Sequence, residues 1–128
     1  MSIAVKILVD RPPITENELR KLLNFAISEV AREGLYVPEV FAIVVISKED
    51  FERSKEQGGI VNANFIYREV PVDTLIIRGD IHTNVFVMDF LKAIYVIALY
   101  RTALVVDMKK GEEWAREHFI KALSYMVS

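Results

Sequence analysis

The sequence predicts a single α+β domain, residues 1–128, on a mixed four-stranded sheet in the order β-α-β-(α)-β-β-α-α. Three observations predict it. Runs rich in β-branched residues fall in the first two-thirds of the chain, one early segment carries apolar residues at helical spacing, and two long helical patterns close the chain. The 128 residues suit one domain, large enough to bury roughly two-thirds of the surface its unfolded chain exposes.

The elements follow in order. Residues 2–9 are apolar and β-branched and read as a strand, ended by Pro12 and Pro13, which cannot continue a central ladder. Thr15 with Glu18 forms a capping-box pattern. Behind it Leu19, Leu22, Leu23, Ala26, Ile27 and Val30 recur on one helical face, while Arg20, Lys21, Ser28, Glu29 and Arg32 take the other. A helix over 15–33 follows, with Gly34 as its stop. Residues 40–46 form a continuous apolar run, which predicts an interior strand covered on both faces. Residues 48–57 form a short polar helix or loop after the cap at Ser47, and Gly58 and Gly59 break it. Two strands follow near 60–68 and 72–78, with Pro71 between them, paired as a hairpin or running in sequence. An apolar helix spans 84–106, residues 107–111 interrupt it, and a last helix over 112–127 buries Ala115, Phe119, Ala122, Leu123 and Met126.

Composition excludes several function classes. The chain has no Cys, so thiol catalysis, cysteine-ligated zinc and disulfides are absent. A formal net charge of -2 argues against a phosphate-binding surface, and no nucleic-acid partner is expected. The segment from Val85 to Val106 is long enough to cross a bilayer, but Asp89, Lys92 and Arg101 within it predict a buried helix and no membrane partner. With no signal-like leader and no Cys, the cytoplasm is the expected compartment. Few Gln, many Ile and Val, and more Glu than Asp lean toward a hot-living source.

Motifs narrow the chemistry further. Neither a phosphate-binding glycine loop nor a Gly-x-Ser-x-Gly elbow is present, and no cofactor is expected. Arg78, Gly79 and Asp80 spell an adhesion tripeptide but read as a strand-end turn. His82 with Asp80, and His118 with Glu112 or Glu117, carry metal-ligand chemistry without a short ligand pair at metal spacing, so capping and packing roles are expected instead. Asp89, Lys92, Val96 and Tyr100 fall on one helical face, and together with Glu112 they mark a candidate cleft or a solvated edge.

The second half, over roughly residues 40–125, resembles a minimal zincin, the compact metalloprotease core. The resemblance rests on the glycine-rich stretch 58–64, the strand 72–77, the helix 91–101 and the segment Glu112 to Phe119. It implies an edge strand along a substrate cleft and an active helix bearing H-E-x-x-H. Here Val96, Ile97 and Tyr100 stand at the histidine, glutamate and second histidine positions. Val and Ile can neither ligate zinc nor act as a base, so the resemblance implies a scaffold without its zinc.

No catalytic residue is singled out. The expected function is that of a non-enzymatic interaction or structural protein, as a homodimer, with a protein partner, self or other. Two readings stand beside it: a zincin-like domain without activity that binds a peptide along an edge strand, and a metal-dependent hydrolase using His82 and His118. Leu23→Ala and Ile27→Ala are expected to cost about 2–5 kcal/mol, and Glu29→Ala roughly 0.5 kcal/mol or less.

Overall fold

A computed structural model describes residues 2–128, save the side chain of Val40. Nine elements run in the order β1 (Ser2–Ile7), α1 (Glu16–Ala31), β2 (Val40–Ile46), α2 (Lys48–Lys55), β3 (Ile60–Val61), β4 (Phe65–Arg68), β5 (Thr74–Arg78), α3 (Thr83–Ala103) and α4 (Met108–Met126). The class is α+β, as expected, but the sheet has five strands, in the spatial order β1-β2-β5-β4-β3. β1, β2 and β5 are parallel, whereas β4 is antiparallel to both β5 and β3.

The fifth strand comes from the segment expected as one strand over 60–68. Asn62 donates its N–H to the Phe65 carbonyl at 2.9 Å, closing a tight turn that folds the segment into the β3–β4 hairpin. Asn is among the residues that turn a chain this way. The strands on either side of Pro71 do pair as neighbours, β4 with β5, in the register Phe65 to Ile77 and Arg68 to Thr74.

α1 matches its expectation closely. Thr15 and Glu18 complete a reciprocal capping box, and Gly34, at φ 77, takes the left-handed conformation that ends a helix at little steric cost. The buried face differs in detail. Phe25 is buried, Ile27 is half-buried, and Glu29 is buried against α4 beside Lys121 at 3.6 Å and His118 at 3.8 Å. The expectation of an indifferent, solvated Glu29 is therefore corrected: α4 covers the flank of α1 that periodicity assigned to water.

α4 begins at Met108 and not near 112, because Asp107 accepts from the Lys110 N–H at 3.0 Å and caps the helix four residues early. The break between α3 and α4 lies at Leu104–Val106. Gly111, read as part of that break, sits inside α4 instead. A Cβ there would lie 2.7 Å from a Val96 methyl and 3.3 Å from the Lys92 carbonyl oxygen, so glycine lets the two helices close up.

α3 is apolar on all sides because it is wrapped. Phe86, Val87, Phe90, Leu91 and every residue from Ala93 to Ala98 are buried between the sheet, α1 and α4. It is the one helix among the described residues long and apolar enough to cross a membrane, and it is mostly buried in the core. On the opposite sheet face, α2 presses Phe51 onto Ile46, Ile66 and Ile76. The expectation that 40–46 is covered on both faces holds at Ile46. At Ala42 and Val44 the second face is only half covered, because α2 is too short to reach them.

Candidate functional site

The structure divides the residues expected to line one cleft. Asn64 donates to the Asp89 carboxylate at 2.7 Å. Asp89 shares its electrostatic surroundings with Lys92 and Glu112, and burial pushes its carboxyl above the ordinary range against the pull of Asn64 and Lys92. Tyr100, about three turns further along α3 than Asp89, belongs to a different cavity. Between the two, the first turn of α4 closes onto α3 at Gly111, over Lys92 and Val96.

The cavity beside Tyr100 has a volume of about 450 Å³, between the end of β4 and α3, lined among others by Ile60, Tyr67, Arg68 and Glu69. A polar network surrounds it. Tyr100 donates to one Glu69 carboxylate oxygen at 2.6 Å, and Arg101 donates to the other at 2.9 Å. Tyr67 donates to Asp73, and its ring meets that of Tyr100 edge-on with centroids 6.1 Å apart. Burial first, then Asp73, holds the Tyr67 hydroxyl far above its usual range. The hydrogen bond to Glu69 raises that of Tyr100. Both phenols thus stay protonated near neutral pH, each donating to its carboxylate. Of this network the sequence marked only Tyr100. Glu69 and Asp73 flank the β4–β5 turn and gain meaning only when the sheet sets them against α3.

The positions implied as zinc ligands do not fit zinc. Val96 and Ile97 are fully buried and apolar, and Tyr100 is committed to Glu69. The two histidines stand apart against different partners. The His82 Nδ1 accepts from the Asn84 N–H at 3.1 Å and caps α3. His118 donates from Nδ1 to the Trp114 carbonyl at 2.8 Å and stacks on that indole with centroids 4.2 Å apart. Among the described residues no group of three or more His, Asp or Glu side chains could hold a metal ion. The tripeptide at 78–80 closes on itself, with Arg78 gripping both Asp80 oxygens at 2.9 and 2.7 Å.

The sheet has two edges of unequal length. β3 offers two residues and β1 offers six. Ser2 and Leu8 donate their N–H groups to the Glu39 and Val45 carbonyls at 2.8 Å. In a parallel pair successive residues alternate between the two sides, so the even-numbered residues of β1 bond β2. The backbone groups of Ile3, Val5 and Ile7 then face away from the sheet. One of them is occupied: Arg20 donates to the Ile3 carbonyl at 3.4 Å. The side chains of these three residues pack on the core yet remain half-exposed.

Comparison with known protein families, curated proteins and solved structures finds no match to this chain. What the fold defines is therefore a class, a single α+β domain with a mixed five-stranded sheet.

Asp89 supplies a pH prediction. Its folded-state carboxyl titrates above its unfolded value because of burial. The ionised form is therefore the strained one: the fold is destabilised by Asp89 at neutral pH, and that penalty shrinks as the pH falls through the folded value and is gone below the unfolded one. Asp89→Asn is expected to raise stability at pH 7, the difference shrinking on acidification. Urea unfolding of both proteins at several pH values checks this, and an Asn variant less stable at pH 7 would refute it.

Proposed function

We propose that this chain is a non-enzymatic interaction protein that receives a partner's strand along β1. The observation that supports it is the six-residue edge with the outward backbone groups of Ile3, Val5 and Ile7. Open edges usually carry a device that discourages pairing, such as a proline, a bulge, a lysine or a covering loop. β1 has Lys6 alone, and Arg20 reaches only its first outward carbonyl. Strand addition takes affinity from main-chain bonds and selectivity from alternate side chains. Here those side chains are three β-branched residues on the helix-covered face.

Amide hydrogen exchange, followed across protein concentrations and with an added extended peptide of alternating valine and threonine, tests the proposal. The Ile3, Val5 and Ile7 amides are expected to slow as a partner strand joins, while those of the even-numbered residues stay slow throughout. If the three odd-numbered amides exchange freely under every condition, β1 receives no strand.

A second reading draws on the zincin resemblance: a domain without zinc that holds an extended peptide beside Tyr100. Its support is the cavity between the β4 end and α3, with the hydrogen-bonded pair Tyr100 and Glu69 on its wall. In the same titration it expects nuclear magnetic resonance shifts at Ile60, Tyr67 and Tyr100 and none along β1.

A further inference from the structure

We infer that the strand received by β1 is the β1 of a second copy, paired antiparallel about a two-fold axis at Val5; the inference rests on the reading of β1 as a strand-accepting edge. Parity fixes the register. Residues opposite each other in an antiparallel pair point to the same face of the sheet. Within β1 it is Ile3, Val5 and Ile7 that turn their backbone groups outward, so they must form the hydrogen-bonded pairs. The pairing that uses all three sets Ile3 against Ile7, Val5 against Val5 and Ile7 against Ile3. Each such pair exchanges two bonds, giving roughly six across the seam.

The side chains agree with this register on both faces. Against the helices it makes an unbroken β-branched ladder, the favoured kind of cross-strand pairing, from residues that are half-exposed in a single copy. On the other face Lys6 meets Ala4 and Leu8 meets Ser2, so no two like charges stand directly opposite. At the seam, Arg20 already lies on the edge and is held by Glu16 at 3.1 Å. The Ile3 carbonyl has two lone pairs, so it can keep Arg20 while accepting the new N–H. An isologous contact of this kind closes at two copies and uses up the β1 edge of both. The far edge of each protomer, β3, is two residues long.

Sedimentation velocity on the full chain from about 1 to 100 μM tests the inference, with Val5→Lys, Val5→Glu and Val5→Pro. The unaltered chain is expected to dimerise within that range. Val5→Lys and Val5→Glu each place like charges face to face on the axis, and each is expected to weaken dimerisation about 100-fold. Mixed in equal amounts, they are expected to form a heterodimer. Val5→Pro removes an N–H that only the partner uses, so it is expected to be monomeric with an intact fold. A dimer that persists in all three variants, or a charge mixture that stays monomeric, overturns this register. An unaltered chain that is monomeric at 100 μM overturns self-pairing. In that case slowed exchange at the odd-numbered amides with the valine–threonine peptide would still uphold β1 as a strand acceptor for another protein. Loss of that response too would remove both.

Discussion

Phe90→Ala is expected to lower the unfolding free energy by about 3–5 kcal/mol. Phe90 is fully buried on α3 and stacks on Phe86, also fully buried, with ring centroids 6.3 Å apart and planes 14° from parallel. α3 touches α1, α4, β4 and β5, so a hole in its middle cannot be filled by a small shift of one neighbour. The residual cavity adds to the lost transfer energy of the ring. For a chain of this size the melting temperature is expected to fall by roughly 10–20 °C. Urea unfolding should show a lower midpoint with an unchanged slope. A loss below about 1 kcal/mol would mean that the core around α3 collapses freely, contrary to its close packing.

The second large effect is expected at Gly59. Its φ is +107°, in the region L side chains rarely adopt, and a Cβ built there would lie 2.5 Å from the Tyr67 carbonyl oxygen. That oxygen belongs to the backbone of β4 and cannot swing aside. Gly59→Val combines a forbidden backbone conformation with a clash, and about 3 kcal/mol or more of destabilisation is expected. Because β3 starts at the next residue, the damage should concentrate in the β3–β4 hairpin. Amide exchange at Ile60 and Val61 should accelerate more than that of β2. A Cβ at Gly58 would meet no atom within 4 Å, although Gly58 also has a positive φ, of +80°, so Gly58→Val lacks the clash. Gly58→Val is therefore expected to cost less, and equal losses at the two glycines would refute the steric account.

Local chemistry was legible wherever one segment carried it alone. The Thr15–Glu18 capping box, the stop at Gly34 and the cap at Ser47 each depend on a few consecutive residues. Features made by two distant segments were not legible. Glu29 has the polarity of a surface residue, and only the arrival of α4 buries it. Gly111 looked like a helix breaker because nothing in its neighbours discloses that Val96 lies 2.7 Å from its missing side chain. The turn at 62–64 was absorbed into one strand because Ile60, Val61, Phe65 and Ile66 read as a single apolar run around it. The separation of Asp89 from Tyr100 was hidden for the same reason: they share a helical face with Lys92, but α4 crosses it between them.

The spatial order of the strands also bears on synthesis. β2 is an interior strand, yet its second neighbour is β5, and Ala42 must await Asp73 before its N–H is satisfied. When a ribosome has released residues up to about 60, β2 can pair with β1 alone. Its other edge then lies open, and Phe41, Ile43 and Val45 have only α1 to cover them. The sheet cannot be completed until Arg78 emerges, nor its helix face until α3 follows. A nascent chain arrested between those points should bind holdase chaperones more strongly than one arrested after residue 103. Its window of exposure would be set by the rate of translation and not by the folding rate of any single element.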